Sequence, residues 1–218
     1  MSNWLLPSLT LLSVCLAMAA VLGWRRRARR QAAQLADWTP PPAALARLQA
    51  RRPGWDAAAC AQVGLGLRQF LLAAQRSDGE HLDMPSRAAA ELWACLAEDA
   101  AGYETLCRQA LGGPLPWRDV QEPSGWAREN LGLRHVWAVC CALEGQDPYA
   151  PTQVPLLFDL DRALDLPDGV IYALTLSPQP PAEGDRRPRY RGQDLMGDPA
   201  GARWTGGDEA PEGGNWVL

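Results

Sequence analysis

At 218 residues, with a net charge of −4 and a pI near 5.2, the chain has room for one ordinary domain plus appendages, and it lacks the basic surplus of a nucleic-acid binder. All 21 basic residues are arginine; alongside so much Ala, Gly and Pro, that bias reflects genome composition and excludes no function. Cys15 lies in an apolar segment, and Cys60, Cys95, Cys107, Cys140 and Cys141 fall in helical patterns, so a reducing compartment fits better than a disulfide framework.

The first feature along the chain is an uncharged run from Trp4 to Trp24, WLLPSLTLLSVCLAMAAVLGW. About 21 residues at 1.5 Å each span roughly 30 Å, the thickness of a bilayer's hydrocarbon core. Pro7 falls in the first turn, where a missing N–H costs least. Trp4 and Trp24 bracket the run as interfacial aromatics do, and Arg25, Arg26, Arg27, Arg29 and Arg30 follow at once. A secretory signal carries its positive charge before the apolar run; here the charge follows it. Residues 1–30 are therefore read as a single-pass transmembrane anchor with its arginine cluster. The positive-inside rule then leaves the bulk of the chain on the cytoplasmic side of the inner membrane. The alternative, a buried core helix, fits poorly with five arginines at its end. Cys15, Ala19 and Gly23 recur every four residues, a spacing that admits a weak homodimer but also arises by chance in an Ala-rich segment. The arginines could also hold anionic lipid headgroups, although topology alone accounts for them.

Residues 31–54 read as a connector, in which Pro40, Pro41 and Pro42 set a short stiff spacer before a brief helix, Ala43 to Arg51. Residues 55–176 read as a small domain of about four helices. In the first, from Trp55 to Gln75, Ala59, Val63, Leu67, Phe70, Leu71 and Ala74 share one stripe. Met84-Pro85-Ser86 opens the second, with Ser86 as a cap. Its stripe runs through Leu92, Trp93, Leu96, Tyr103, Cys107 and Leu111, with a kink expected at Gly102 and a stop at Gly112-Gly113-Pro114. A loop holding Trp117 leads to the third, about Ser124 to Leu143, with Leu133, Val136, Trp137 and Cys140 inward. A short helix from Leu156 to Leu164 precedes a turn at Leu166-Pro167-Asp168-Gly169. Val170 to Leu176 is strand-like, but one such run cannot make a sheet. From residue 177 to 218 the chain has too few aliphatic side chains to offset its entropy and reads as a disordered tail. Trp204, Trp216, Val217 and Leu218 at its end could form a short docking motif, though plain tail is the simpler reading.

Chemistry-bearing patterns are sparse. His81 lies in a charged loop, and His135 falls roughly 160° from Trp137 on the polar face, away from Cys140. No zinc-binding spacing and no P-loop are present, and no cofactor is expected. Gly64-Leu65-Gly66 resembles part of a dinucleotide motif but sits mid-helix with no strand before it. Asp159 and Asp161 read as solvated carboxylates on an exposed helix. Cys107 and Cys140 lie at the centres of apolar stripes, where burial raises a thiol's pKa; Cys141, on a flank, is the one candidate nucleophile. Arg87, Glu91 and Glu98, on one helix face, are the best available guess at an enzyme site.

Met84-Pro85-Ser86, Glu91-Leu92-Trp93, Tyr103 with Cys107, Gly112 and the run PLLFDLDRALDLPDGVIYAL from Pro155 together resemble a group of uncharacterised bacterial proteins related to the glycine-rich-domain-containing proteins. The resemblance covers Pro53 to Leu174. It implies an Asp and a His four residues apart on the second helix, and a His pair near the end of the next loop. Here those positions read Ala90, Ala94, Pro116 and Trp117, so a His-dependent activity would be missing.

The reading that results is a mainly α protein: an N-terminal transmembrane helix, a small helical domain and a disordered tail. Its expected role is that of a protein-interaction or scaffold module, with Trp117 and Trp126 either covering the core or forming a contact surface. Trp4, Trp24 and the five arginines would sit at the membrane interface. The alternatives are an enzyme with an Arg/carboxylate site or a lipid-binding module.

Overall fold

The computed structural model describes residues 18–19, 22–23, 33–77, 81–115, 117–120, 130–175, 185 and 187–196. The apolar run is described only at Met18, Ala19, Leu22 and Gly23, which are helical, with Met18 and Leu22 largely exposed. Trp4, Cys15, Trp24, the five arginines of the cluster, Trp126, Trp204 and Trp216 lie outside the described residues.

Helix α1 (Pro42–Arg51) begins on a proline, whose lost N–H would have had no intrahelical partner. Helix α2 (Ala57–Gln75) begins where Asp56 accepts a hydrogen bond from the Ala59 N–H at 2.7 Å. Gly64 and Gly66 weaken α2 intrinsically, yet side chains there would collide. A β-carbon on Gly64 would lie 2.9 Å from Pro40 Cγ, and one on Gly66 would lie 2.6 Å from Leu160 Cδ1. The two glycines therefore serve close packing against Pro40 and Leu160.

Leu35, Ala44 and Leu48 are buried in the core, and the Arg68 guanidinium donates to the Ala36 carbonyl at 2.8 Å. Residues 33–54 are thus part of the domain, a correction to the spacer reading. Three prolines suggested stiffness, but they deliver α1 onto α2 and the next helix.

That next helix is α3 (Arg87–Ala97), and the expected long helix stops there. Asp99 accepts from the Gly102 N–H at 3.1 Å and starts a separate helix, α4 (Ala100–Leu106). An aspartate carboxylate competing for backbone N–H groups breaks the helix where Gly102 alone was expected to bend it. A π-helical turn (Cys107–Leu111) ends at Gly112, whose φ of 81° closes it in the left-handed region. Helix α5 (Leu131–Leu143) covers the described part of the expected third helix, whose residues 124–129 lie outside the described residues, and α6 (Leu156–Ala163) lies almost where expected.

Two short parallel pairings complete the fold. Strand β1 (Leu82–Asp83) pairs with β2 (Trp117–Arg118), Leu82 opposite Trp117. Strand β3 (Ile171–Ala173) pairs with β4 (Arg189–Arg191), Tyr172 opposite Tyr190. The second pairing corrects two expectations: the strand-like run after Gly169 does find a partner, and it lies inside the supposed tail. Tyr190, Leu195 and Met196 are buried. Asp185 accepts from Arg187 at 3.0 Å and Arg189 at 2.6 Å, and Arg187 reaches Asp165 at 2.7 Å, tying β4 to the turn after α6. Among the described residues the fold is mainly helical, with α2 at its centre, packed on α3, α5 and α6.

Candidate functional site

Two clusters gather the side chains that could carry chemistry. The first forms where α3 begins. Ser86 accepts from the Ala89 N–H at 3.1 Å, the expected cap, and its hydroxyl donates to Asp161 Oδ1 at 2.7 Å. Asp161, fully buried on α6, also accepts from the N–H groups of Arg87 at 3.0 Å, Ala88 at 3.1 Å and Val170 at 3.0 Å. One carboxylate thus satisfies the start of α3 and the chain entering β3. The exposed reading of Asp161 is corrected: it lies four residues after Leu157 on the helix's inward stripe. Asp159 is the partly exposed one, paired with Arg162 at 2.5 Å. Neighbouring helix ends use the same device. Glu144 accepts from the Leu156 N–H at 2.8 Å and Gln69 from the Leu157 N–H at 3.0 Å, and the Gln69 amide donates to Glu144 at 2.7 Å. Pro155 cannot cap α6 with a side chain, so α2 and the end of α5 supply the acceptors.

The second cluster is aromatic. Trp93 lies edge-on to Tyr103 at 5.1 Å and to Trp117 at 5.9 Å, and Trp117 lies edge-on to Phe70 at 6.4 Å. Trp117 is half-buried and covers the core from β2. The Tyr103 hydroxyl is pushed up to about 12, first by burial and then by the Cys107 thiol, against the lowering effect of the Trp93 indole N–H. Burial also raises Cys107, opposed by hydrogen bonds from Tyr103 and the Leu115 N–H. Of the positions where the resemblance implies Asp and His, Ala90 is half-buried, Ala94 is exposed, Trp117 lies edge-on within this cluster, and Pro116 lies outside the described residues.

The remaining candidates are spread through the fold. Glu91 pairs with Arg52 at 2.8 Å, and Glu98 with Arg47 at 3.3 Å and with Arg51, so these carboxylates clamp α3 to α1. The Arg87 Nε is buried without a hydrogen-bond partner. His135 Nε2 lies 3.1 Å from the Ala73 carbonyl, and His81 is exposed. Asp83, whose loop gave no such sign, is buried and paired with Arg118 at 2.6 and 3.1 Å. Cys60, Cys95, Cys107, Cys140 and Cys141 are free thiols, all buried. Burial lifts Cys140 well above 9.0 and Cys141 to about 12, the latter with help from Glu144 and Asp147, so neither thiol is activated for attack.

The family model for UCP032817-like proteins matches residues 29–193. The chain belongs to the UCP032817-like family. No curated protein and no solved structure matches it. The matched span tracks the described domain, from just before Leu35 into the 3-10 turn Gly192–Leu195 after β4. The UCP032817-like unit thus includes the connector and the second strand pair, and excludes the whole apolar run from Trp4 to Trp24.

The raised thiols and Tyr103 set a pH limit on this UCP032817-like domain. Each group is neutral when protonated, and folding favours that form. The unfolded chain therefore ionises first, so the contribution of these groups is constant below about pH 9 and falls as pH rises towards 12. Melting temperatures measured from pH 7 to 11 should be flat to about pH 9 and then fall. A flat profile to pH 11 would show that these thiols are solvated.

Proposed function

We propose that this UCP032817-like chain is a single-pass protein of the cytoplasmic (inner) membrane, its helical domain on the cytoplasmic side, acting by binding another protein and not by catalysis. The observation that carries this is the use of its polar side chains. Asp161, Ser86, Gln69, Glu144, Asp83, Glu91 and Glu98 are each engaged in holding one element to another. A group spent on a helix end is not poised to move a proton. We also read the family as related to the glycine-rich-domain-containing proteins, with Ala90, Ala94, Pro116 and Trp117 replacing the relatives' Asp and His groups. That relation supports a chain that kept the packing and lost the chemistry.

The membrane half of the proposal rests on the run from Trp4 to Trp24 and the arginines after it. Full-length protein should stay in the membrane pellet after alkaline carbonate extraction, and a chain lacking residues 1–30 should move to the supernatant. Proximity crosslinking in the native membrane should capture a specific partner with the full-length protein and lose it with the truncated one. A full-length capture indistinguishable from an unrelated single-pass control would remove the binding role.

A further inference from the structure

Helix α2 carries a face that the core does not use. Its stretch from Ala57 to Gln75 is long and apolar enough to cross a membrane, yet only half of it is buried within the domain. On the other half, Ala58, Ala61 and Leu65 are exposed and Leu72 is half-buried, with Leu65 44% exposed. These four lie within about 60° of one another around the helix axis. The helix has no carboxylate anywhere, and its only charge is Arg68, whose partner is the uncharged Ala36 carbonyl.

Two further observations say what covers this face. The first is reach. Pro40 packs on Gly64 and Ala36 meets Arg68, so the chain enters the domain along the flank of α2 next to Leu65. Only nine peptide units separate Trp24 from Ala33, and whatever their conformation they cannot span more than about 30 Å. The second is charge. Residues 1–76 hold ten arginines and two carboxylates, whereas residues 77–218 hold eleven arginines and 23 carboxylates. The Glu91 and Glu98 ion pairs neutralise part of α1, whereas Arg68 and exposed Arg76 form no ion pair among the described residues. The acidic net charge of the whole chain conceals a strongly basic first third.

We infer that the domain lies on the membrane, with the outer face of α2 seated on an anionic lipid surface. Leu65 and Leu72 enter the headgroup boundary, and Arg68 and Arg76 face the phosphates. This placement rests on the proposed anchor. It would hold the acidic remainder of the domain away from the lipid, free for a partner.

The test uses full-length protein with Cys15→Ala, in which the five described thiols are buried. A nitroxide is placed at Leu65→Cys, at Ala61→Cys and, as a solvent reference, at exposed Tyr149→Cys. The protein is reconstituted into vesicles with and without phosphatidylglycerol, and access of a water-soluble nickel relaxant is measured by electron paramagnetic resonance. With the anionic lipid, nickel access at 61 and 65 should be several-fold lower than at 149, and high salt should narrow the gap. Inserted protein with equal access at all three positions would overturn the docking and leave the anchor standing. Protein that fails to insert would overturn both.

Discussion

Replacing Asp161 with Asn should cost about 3 kcal/mol or more of domain stability, among the largest effects expected of any single isosteric change here. The carboxylate accepts four hydrogen bonds while fully buried, three from backbone N–H groups and one from Ser86. Asparagine keeps one acceptor oxygen and turns an NH2 group towards backbone N–H donors that cannot accept from it. It also removes the negative charge facing the start of α3, where the helix dipole favours an anion. Asp159→Asn is the matched control, because Asp159 reaches solvent and its partner Arg162 is largely exposed, so that pair should contribute less than about 1 kcal/mol. Urea denaturation followed by near-UV circular dichroism should separate the two variants clearly. Equal midpoints would mean that the joint between α3 and α6 does not carry the domain.

Ending the chain at residue 176 should leave the domain unable to hold its native packing, whereas ending it at 196 should change little. The first truncation removes Tyr190, Leu195 and Met196 from the core. It also uncovers the edge-on series of Trp137, Phe158 and Tyr172, whose centroids lie 4.9 Å apart at each step. Burying three such side chains contributes on the order of 5–8 kcal/mol, comparable to the whole stability of a typical domain. Arg134, which donates to the Met196 carbonyl at 3.0 Å, would lose its partner as well. Limited proteolysis and near-UV circular dichroism of the two truncations test this. A native denaturation midpoint for the chain ending at 176 would restore the reading of everything beyond it as tail.

Much of the helical scaffold was legible because its signals are local. Ser86 caps where its position suggested, and the stripes through Phe70, Trp93 and Trp137 are buried as their spacing required. Misread features depend on distant partners. Ser86 and Asp161 are 75 residues apart, and nothing in the local sequence announces their meeting. The position of Asp161 on the stripe of Leu157 was the one available sign, and carboxylates are so seldom buried that the exposed reading prevailed. The parallel pair of β3 and β4 was hidden for another reason. Each strand has three residues, too few for a period to show, and the intervening Pro-rich stretch has the composition of a linker. The aromatic cluster illustrates the same limit at the candidate site: Trp93, Tyr103 and Cys107 are local, but Phe70 and Trp117 arrive from elsewhere.

The burial of both Leu35 and Met196 in one core has a consequence for biosynthesis. At roughly 5–20 residues per second, a ribosome needs about 10–30 s to make the chain between them. Throughout that interval the early helices exist without the strand that seals Trp137 and Tyr172, and their apolar stripes remain exposed. The domain can close only once Met196 has emerged. A nascent chain stalled just before β4 is therefore the species on which chaperones and proteases should act.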